Sequence, residues 1–203
     1  MDLRWLAVAA IWSLEGVGVV WLLTAVWFAA RRPATLRGKA WHFLRTLLPE
    51  PWMLLGLGVL LVLLQFVPSA FLQHLTYDQA ALRAAGAALT IVSALLMVWA
   101  RLALGDMWAG RPMVQERHEL RTGGPYRLAR HPIYSGMIGA VLGLTLLGGF
   151  GGMLFVLAFV VGWLAWRVRV EDRMMIATFG DRYRAYQAQV RALLPLPRRL
   201  AHS

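Results

Sequence analysis

The chain has no cysteine, which excludes a disulfide framework, a thiol nucleophile and a thiolate metal site. Acid is scarce as well. Asp and Glu number 10 against 21 Lys and Arg, for a formal net charge of +11. In a soluble protein that imbalance would point to nucleic acid. What the chain has in excess is apolar sequence, at 59% of its 203 residues with a mean hydropathy of +0.57, far above a soluble domain. The expected fold class is therefore an all-α integral membrane protein. Its positive charge is accounted for by the positive-inside rule if the arginines segregate to one side.

They do segregate. Five runs are apolar enough to be read as spans: Trp5 to Ala30, Pro51 to about Pro68, Ala84 to Leu104, Pro132 to about Leu147, and Gly152 to about Trp166. The last is expected to continue as helix beyond the membrane. With five spans, 19 of the 21 basic residues fall on one side, leaving Arg4 and Arg83 on the other. This predicts an N-terminus outside and a C-terminus in the cytoplasm. The first run is too long for a cleavable signal and ends on charge at Arg31-Arg32. No internal repeat or low-complexity segment stands out.

Several polar residues interrupt this apolar background. Glu15 lies inside the first run, where an acid at membrane depth calls for a function or a partner. A structural partner is the favoured expectation. His74, in the short outer loop Gln73 to Gln79, is expected to be exposed and idle. The polar chemistry concentrates instead in Gly123-Gly124-Pro125-Tyr126-Arg127-Leu128-Ala129-Arg130-His131-Pro132-Ile133-Tyr134-Ser135-Gly136. Pro125 and Pro132 fix their own φ and bias the residues before them away from helix. Pro132 suits the first turn of the next helix, whose free N–H groups and positive dipole end favour an anion. The plainer reading is a basic loop that snorkels to anionic headgroups.

A second charged group follows the fifth run, at Arg167, Arg169, Glu171, Asp172 and Arg173. Arg167 and Glu171 stand four apart, share a helix face and can pair. Only Gly148-Gly149-Phe150-Gly151-Gly152 separates the fourth and fifth runs, so they form a tight antiparallel hairpin. Their cytoplasmic ends, which carry the two charged groups, must then lie together. Guanidiniums, an imidazole, phenols and two carboxylates beside a helix N-terminus suit a soluble cofactor with anionic and hydroxyl groups. A metal or haem is disfavoured, because His118 and His131 have no partner at ligand spacing. In the tail, Met175, Phe179, Tyr183, Tyr186 and Val190 form an amphipathic stripe broken at Gly180-Asp181. Two short helices are expected there, with Asp181 capping the second and the stripe forming a wall over the polar site.

The combined pattern is His118-x-Leu120-x-x-x-Gly124-Pro125-Tyr126-x-x-x-Arg130-His131-Pro132-x-Tyr134-x-Gly136, then Arg167-Val168-x-x-Glu171-Asp172, then Phe179-Gly180-x-x-Tyr183-x-x-Tyr186 and Pro195. It resembles the isoprenylcysteine carboxyl methyltransferase family, which belongs with the phospholipid N-methyltransferases in a wider group of integral membrane methyltransferases. The resemblance covers roughly residues 104 to 195. It divides the chain into a three-span region, 1–103, with no signature, and a core, 104–203, with cofactor loop, helical hairpin and C-terminal helices.

The resemblance implies S-adenosylmethionine as methyl donor, in a cytoplasmic pocket covered by the C-terminal helices. It places His118, Leu120, Gly124, Pro125, Tyr126, His131, Pro132 and Tyr134 on cofactor-binding positions. Arg130 would position the loop or the cofactor carboxylate. Glu171 and Asp172 fall on an acidic pair that is two glutamates in many members, and Arg167 on an arginine that serves the reacting substrate. The implied acceptor is lipophilic and enters from the bilayer, with an isoprenylcysteine-type carboxylate favoured over a phospholipid amine or a thiol. An amine would need a base, for which Glu171 is the candidate. The expected location is a bacterial inner membrane with the site facing the cytoplasm. Two rivals are a reductase that binds a nicotinamide dinucleotide, as membrane sterol reductases do on a similar architecture, and a non-catalytic scaffold for anionic lipid.

Overall fold

In a computed structural model, which describes residues 4–31, 51–105 and 120–193, the chain is helical throughout, with one isolated bridge and no strand among the described residues. The helices are α1 (Arg4–Arg31), α2 (Pro51–Leu64), α3 (Ser69–His74), α4 (Ala80–Leu104), α5 (Pro132–Leu147), α6 (Met153–Phe179) and α7 (Asp181–Gln189). A 3-10 turn, Gly124–Arg127, precedes α5.

Three of these helices, α1, α4 and α6, are long and apolar enough to cross a membrane. The other two expected spans are shorter, α2 at 14 residues and α5 at 16, against the roughly 20 that a bilayer core requires. Each stops where its sequence forces it to. Beyond α2, residues 65–67 form turns ahead of Pro68, and α5 runs into the glycine cluster after Leu147. By contrast α6 runs on past the apolar stretch, as expected, to a total of 27 residues, about 40 Å. It absorbs Met175 and Phe179, so the tail holds one short helix rather than two.

The α4–α5 pair is the heart of the fold. Gly86, Thr90, Ser93 and Met97 of α4 meet Gly136, Gly139 and Gly143 of α5, a run of small residues at helical spacing. A Cβ on Gly143 would lie 2.7 Å from the Gly86 carbonyl oxygen, so the two backbones are in direct contact. Such close approach is how helices associate where lipid supplies no hydrophobic drive. Thr90 Oγ1 is fully buried and donates to Gly86 O at 2.9 Å, so the polar atom is satisfied. α1 packs on the outside of α4 and buries Ala10 and Ala25. Its far face leaves Trp12 and Leu23 bare, as lipid contact would require. Glu15 lies on that exposed side with no ion pair or hydrogen bond among the described residues, so the expected structural partner is not found.

The hairpin between α5 and α6 is strapped down at its tip. Gly149 sits at φ 78° and Gly151 at φ 53°. These left-handed values let Gly149 O accept from Tyr77 N at 3.0 Å while Gly151 N donates to Leu75 O at 3.2 Å. The outer loop and the hairpin are thereby one unit, and His74 remains exposed. A groove of about 510 Å³, lined by Leu61, Leu72, Phe150 and Met153 among others, opens at this end. The charged groups lie at the opposite end of α5 and α6.

Candidate functional site

Pro132 begins α5 in the expected way, with His131 as the residue before the helix at φ −123° and ψ 65°. This places Arg130, His131 and Tyr134 on the first turn and its approach. On α6, Arg167 and Glu171 share a face one turn apart, and Asp172 follows. The tight hairpin makes the two helices neighbours, and the two charged groups interlock as expected.

Glu171 Oε1 accepts a hydrogen bond from the Tyr134 hydroxyl and a second from Arg167 Nε at 3.2 Å. Arg167 Nε also donates to Tyr134 Oη at 2.7 Å, and its guanidinium lies 5.8 Å from the centre of the Tyr134 ring. Asp172 Oδ2 takes Arg130 Nη2 at 2.7 Å, and Asp172 Oδ1 takes the Tyr183 hydroxyl. His131 stands between the two acids, with Nδ1 3.3 Å from Glu171 Oε2 and Nε2 3.0 Å from Asp172 Oδ1. Its ring stacks on Tyr134 at 5.5 Å, nearly parallel.

A neutral imidazole has only one N–H, so one nitrogen would turn a lone pair on a carboxylate. The imidazolium donates from both. Burial alone would lower the His131 pKa, but the hydrogen bonds and charges of Asp172 and Glu171 outweigh it and raise the value above 6.5. With His131 protonated, Arg130, His131 and Arg167 outnumber the two carboxylates among the described residues of this cluster. Burial pushes the phenols of Tyr126, Tyr183 and Tyr186 up, Tyr186 to about 12, so all three remain neutral donors.

The structure does not gather every expected residue into this cluster. Gly124, at φ 58°, and buried Pro125 and Tyr126 form the 3-10 turn that packs on the end of α4, where Tyr126 Oη donates to Ala100 O at 3.4 Å. They shape the floor rather than the ionic network. Leu120 lies half-buried ahead of that turn, and His118 falls outside the described residues. Asp181 does not cap α7. Gly180, at φ 55°, takes the capping position, while exposed Asp181 is the first helical residue and pairs with Arg184 at 2.8 Å.

Three residues were given no polar role in the sequence reading. Tyr183 and Tyr186 were legible as a packing stripe, yet their hydroxyls reach Asp172 and the Tyr126 carbonyl. A buried tyrosine needs a partner for its O–H, which was the available signal. Ser135 donates to Leu193 O, with nothing in its sequence context to mark it.

Residues 82–182, about half of the chain, match the phospholipid methyltransferase family. The chain belongs to that family. A curated relative, methanethiol S-methyltransferase of Mycobacterium tuberculosis (strain ATCC 25618 / H37Rv), is 33% identical over 95 residues. That alignment covers 45% of this chain and 36% of the relative, so the chain matches little more than a third of that protein's length. The matched family region begins in α4 and ends just inside α7, so it contains every charged residue of the network, with Tyr183 just beyond it.

Proposed function

We propose that this protein is an S-adenosylmethionine-dependent methyltransferase embedded in the membrane, acting on a lipophilic acceptor whose nucleophile is an anion. The observation that carries the reading is the Arg130–His131–Tyr134 group of α5 knitted to Arg167, Glu171 and Asp172 of α6. The residues fit the donor molecule. Arg130 Nε is buried with no hydrogen-bond partner among the described residues, which leaves an N–H for the amino-acid carboxylate. The Glu171 side chain is 23% exposed and offers oxygens to ribose hydroxyls, beside the flat His131–Tyr134 stack. Bound there, S-adenosylmethionine supplies an electrophilic methyl group on a sulfonium.

The chain's own task is placement. Arg167 Nε is spent on Tyr134 and Glu171, which fixes the plane of the guanidinium fork and makes Arg167 the cation that orients an incoming anion. A carboxylate or thiolate acceptor reacts without a base once it loses its water. An amine needs one, and Glu171 is poorly suited, because its oxygens already face Tyr134, Arg167 and His131. Its role is to hold Arg167 and the donor. The carboxylate reading follows the motif resemblance, and the name of the mycobacterial relative favours the thiol. Both would react as anions, the carboxylate as it stands and the thiol after giving up its proton to solvent. The five-span topology, the division at residue 103 and a cytoplasmic site on a bacterial inner membrane belong to the same proposal.

The test is methyl transfer from labelled S-adenosylmethionine to three acceptors matched in apolar body, a prenylcysteine carboxylate, a lipophilic thiol and a lipophilic amine. Turnover of the carboxylate or the thiol, lost in Arg167→Gln, is expected. Preferential turnover of the amine would contradict the anion reading.

A further inference from the structure

The two acids of the pair do different work, and the difference lies in what each one holds. Among the described residues, Glu171 is bound only by groups of the α5–α6 body: Tyr134, Arg167 and His131. Asp172 is bound by residues that lead to the C-terminal segment. Its Oδ1 accepts from Tyr183 of α7, and its Oδ2 accepts from Arg130. The other terminal nitrogen of that guanidinium, Nη1, donates to Val190 O at 2.6 Å.

From Val190, itself extended, the backbone passes along the entrance to α5. Arg130 N donates to Arg191 O and His131 N to Ala192 O, both at 2.9 Å, and Ser135 Oγ donates to Leu193 O. Tyr186, buried beside Tyr183, hydrogen-bonds the Tyr126 carbonyl and so ties α7 to the 3-10 turn. Residues 181–193 thus form a strap across the site, and Asp172 holds it through two links Glu171 lacks, directly by Tyr183 and indirectly by Arg130. Its side chain is 15% exposed, less than Glu171 at 23%. The shorter aspartate brings its carboxylate close to the helix, within reach of Tyr183, which lies 11 residues on, past the glycine break.

We propose that Asp172 is a positioning residue, the latch that holds the C-terminal strap over the site, while Glu171 alone of the acidic pair serves the bound donor. This rests on the methyltransferase reading, but the strap itself can be read independently of it. A hydrogen bond to a charged group is stronger than one between neutral groups, so losing one of the latch bonds loosens the strap measurably.

The experiment uses the full chain in detergent, with two readouts on Tyr183→Phe, Asp172→Asn and Glu171→Gln. The first is backbone hydrogen exchange at Arg130, His131 and residues 181–193. The second is binding of S-adenosylhomocysteine. Tyr183→Phe and Asp172→Asn should exchange at least about tenfold faster across the strap and release the ligand faster. Glu171→Gln should lose saturable binding while its strap exchanges like wild type. Unchanged exchange in Asp172→Asn and Tyr183→Phe, or equal loosening in Glu171→Gln, overturns the latch. If Asp172→Asn does not fold, Tyr183→Phe decides alone, since it removes one hydroxyl from an otherwise intact site. Failure of the wild type to bind the ligand would defeat the methyltransferase reading and leave the exchange comparison to judge the latch.

Discussion

At the scale of single residues, His131 is the hinge of the electrostatics. Facing two carboxylates raises its pKa above the ordinary 6.5. The folded state then binds a proton more tightly than the unfolded chain does. The stabilisation is fully present below the unfolded value and is lost as pH rises through the folded one. Thermal unfolding in detergent should therefore show wild-type stability falling from pH 6.5 upward, with a flatter profile in His131→Asn. Parallel profiles would mean that His131 is neutral between the acids. The sequence showed that Arg130, His131, Tyr134, Arg167, Glu171 and Asp172 belong together, because a short hairpin leaves their helix ends no other place. It did not show which acid meets which partner. That depends on the rotation of α6 against α5, and a one-residue step between Glu171 and Asp172 turns a side chain by about 100°.

At the scale of elements, the spacing of small residues on α4 and α5 decides how the site is held. Gly143 packs backbone to backbone, with an added Cβ only 2.8 Å from Thr90 N, whereas a Cβ on Gly162 of α6 would meet nothing within 4 Å. Gly143→Ala should cost about 1–3 kcal/mol by overpacking, read as a lower unfolding midpoint. Gly162→Ala should leave the midpoint unchanged or raise it, since alanine is the better helix former. An unchanged midpoint in Gly143→Ala would mean that α4 and α5 are not in contact as described. Helix existence was legible from apolar runs and their breakers, with Pro132 opening α5 and Gly180 ending α6. Helix length was less so. α2 and α5 stop short of a full span, and α6, expected to run on beyond the membrane, reaches as far as Phe179 and takes in the first of the two expected tail helices. Asp181 was read as a cap from residue type, but Gly180 takes that position because it tolerates φ 55° at the break.

At the scale of the whole molecule, the chain divides its labour along the membrane normal. Charged chemistry gathers at one end of α5 and α6, the strapped glycine hairpin closes the other, and apolar helices lie between. On the proposed orientation the charged end faces the cytoplasm, and a reporter fused after Ser203 should read as cytoplasmic. A periplasmic reading would reverse the proposed orientation. Family membership rests on residues 82–182, and the same stretch holds the ionic network, so fold and chemistry point to one function. The most direct test of that claim is a titration of the purified protein with S-adenosylmethionine and S-adenosylhomocysteine, with a nicotinamide dinucleotide alongside and His131→Ala as the comparison. The account predicts saturable binding of the adenosyl sulfur compounds, abolished in the variant, and none of the dinucleotide. Binding of the dinucleotide alone, or of no compound, would contradict it.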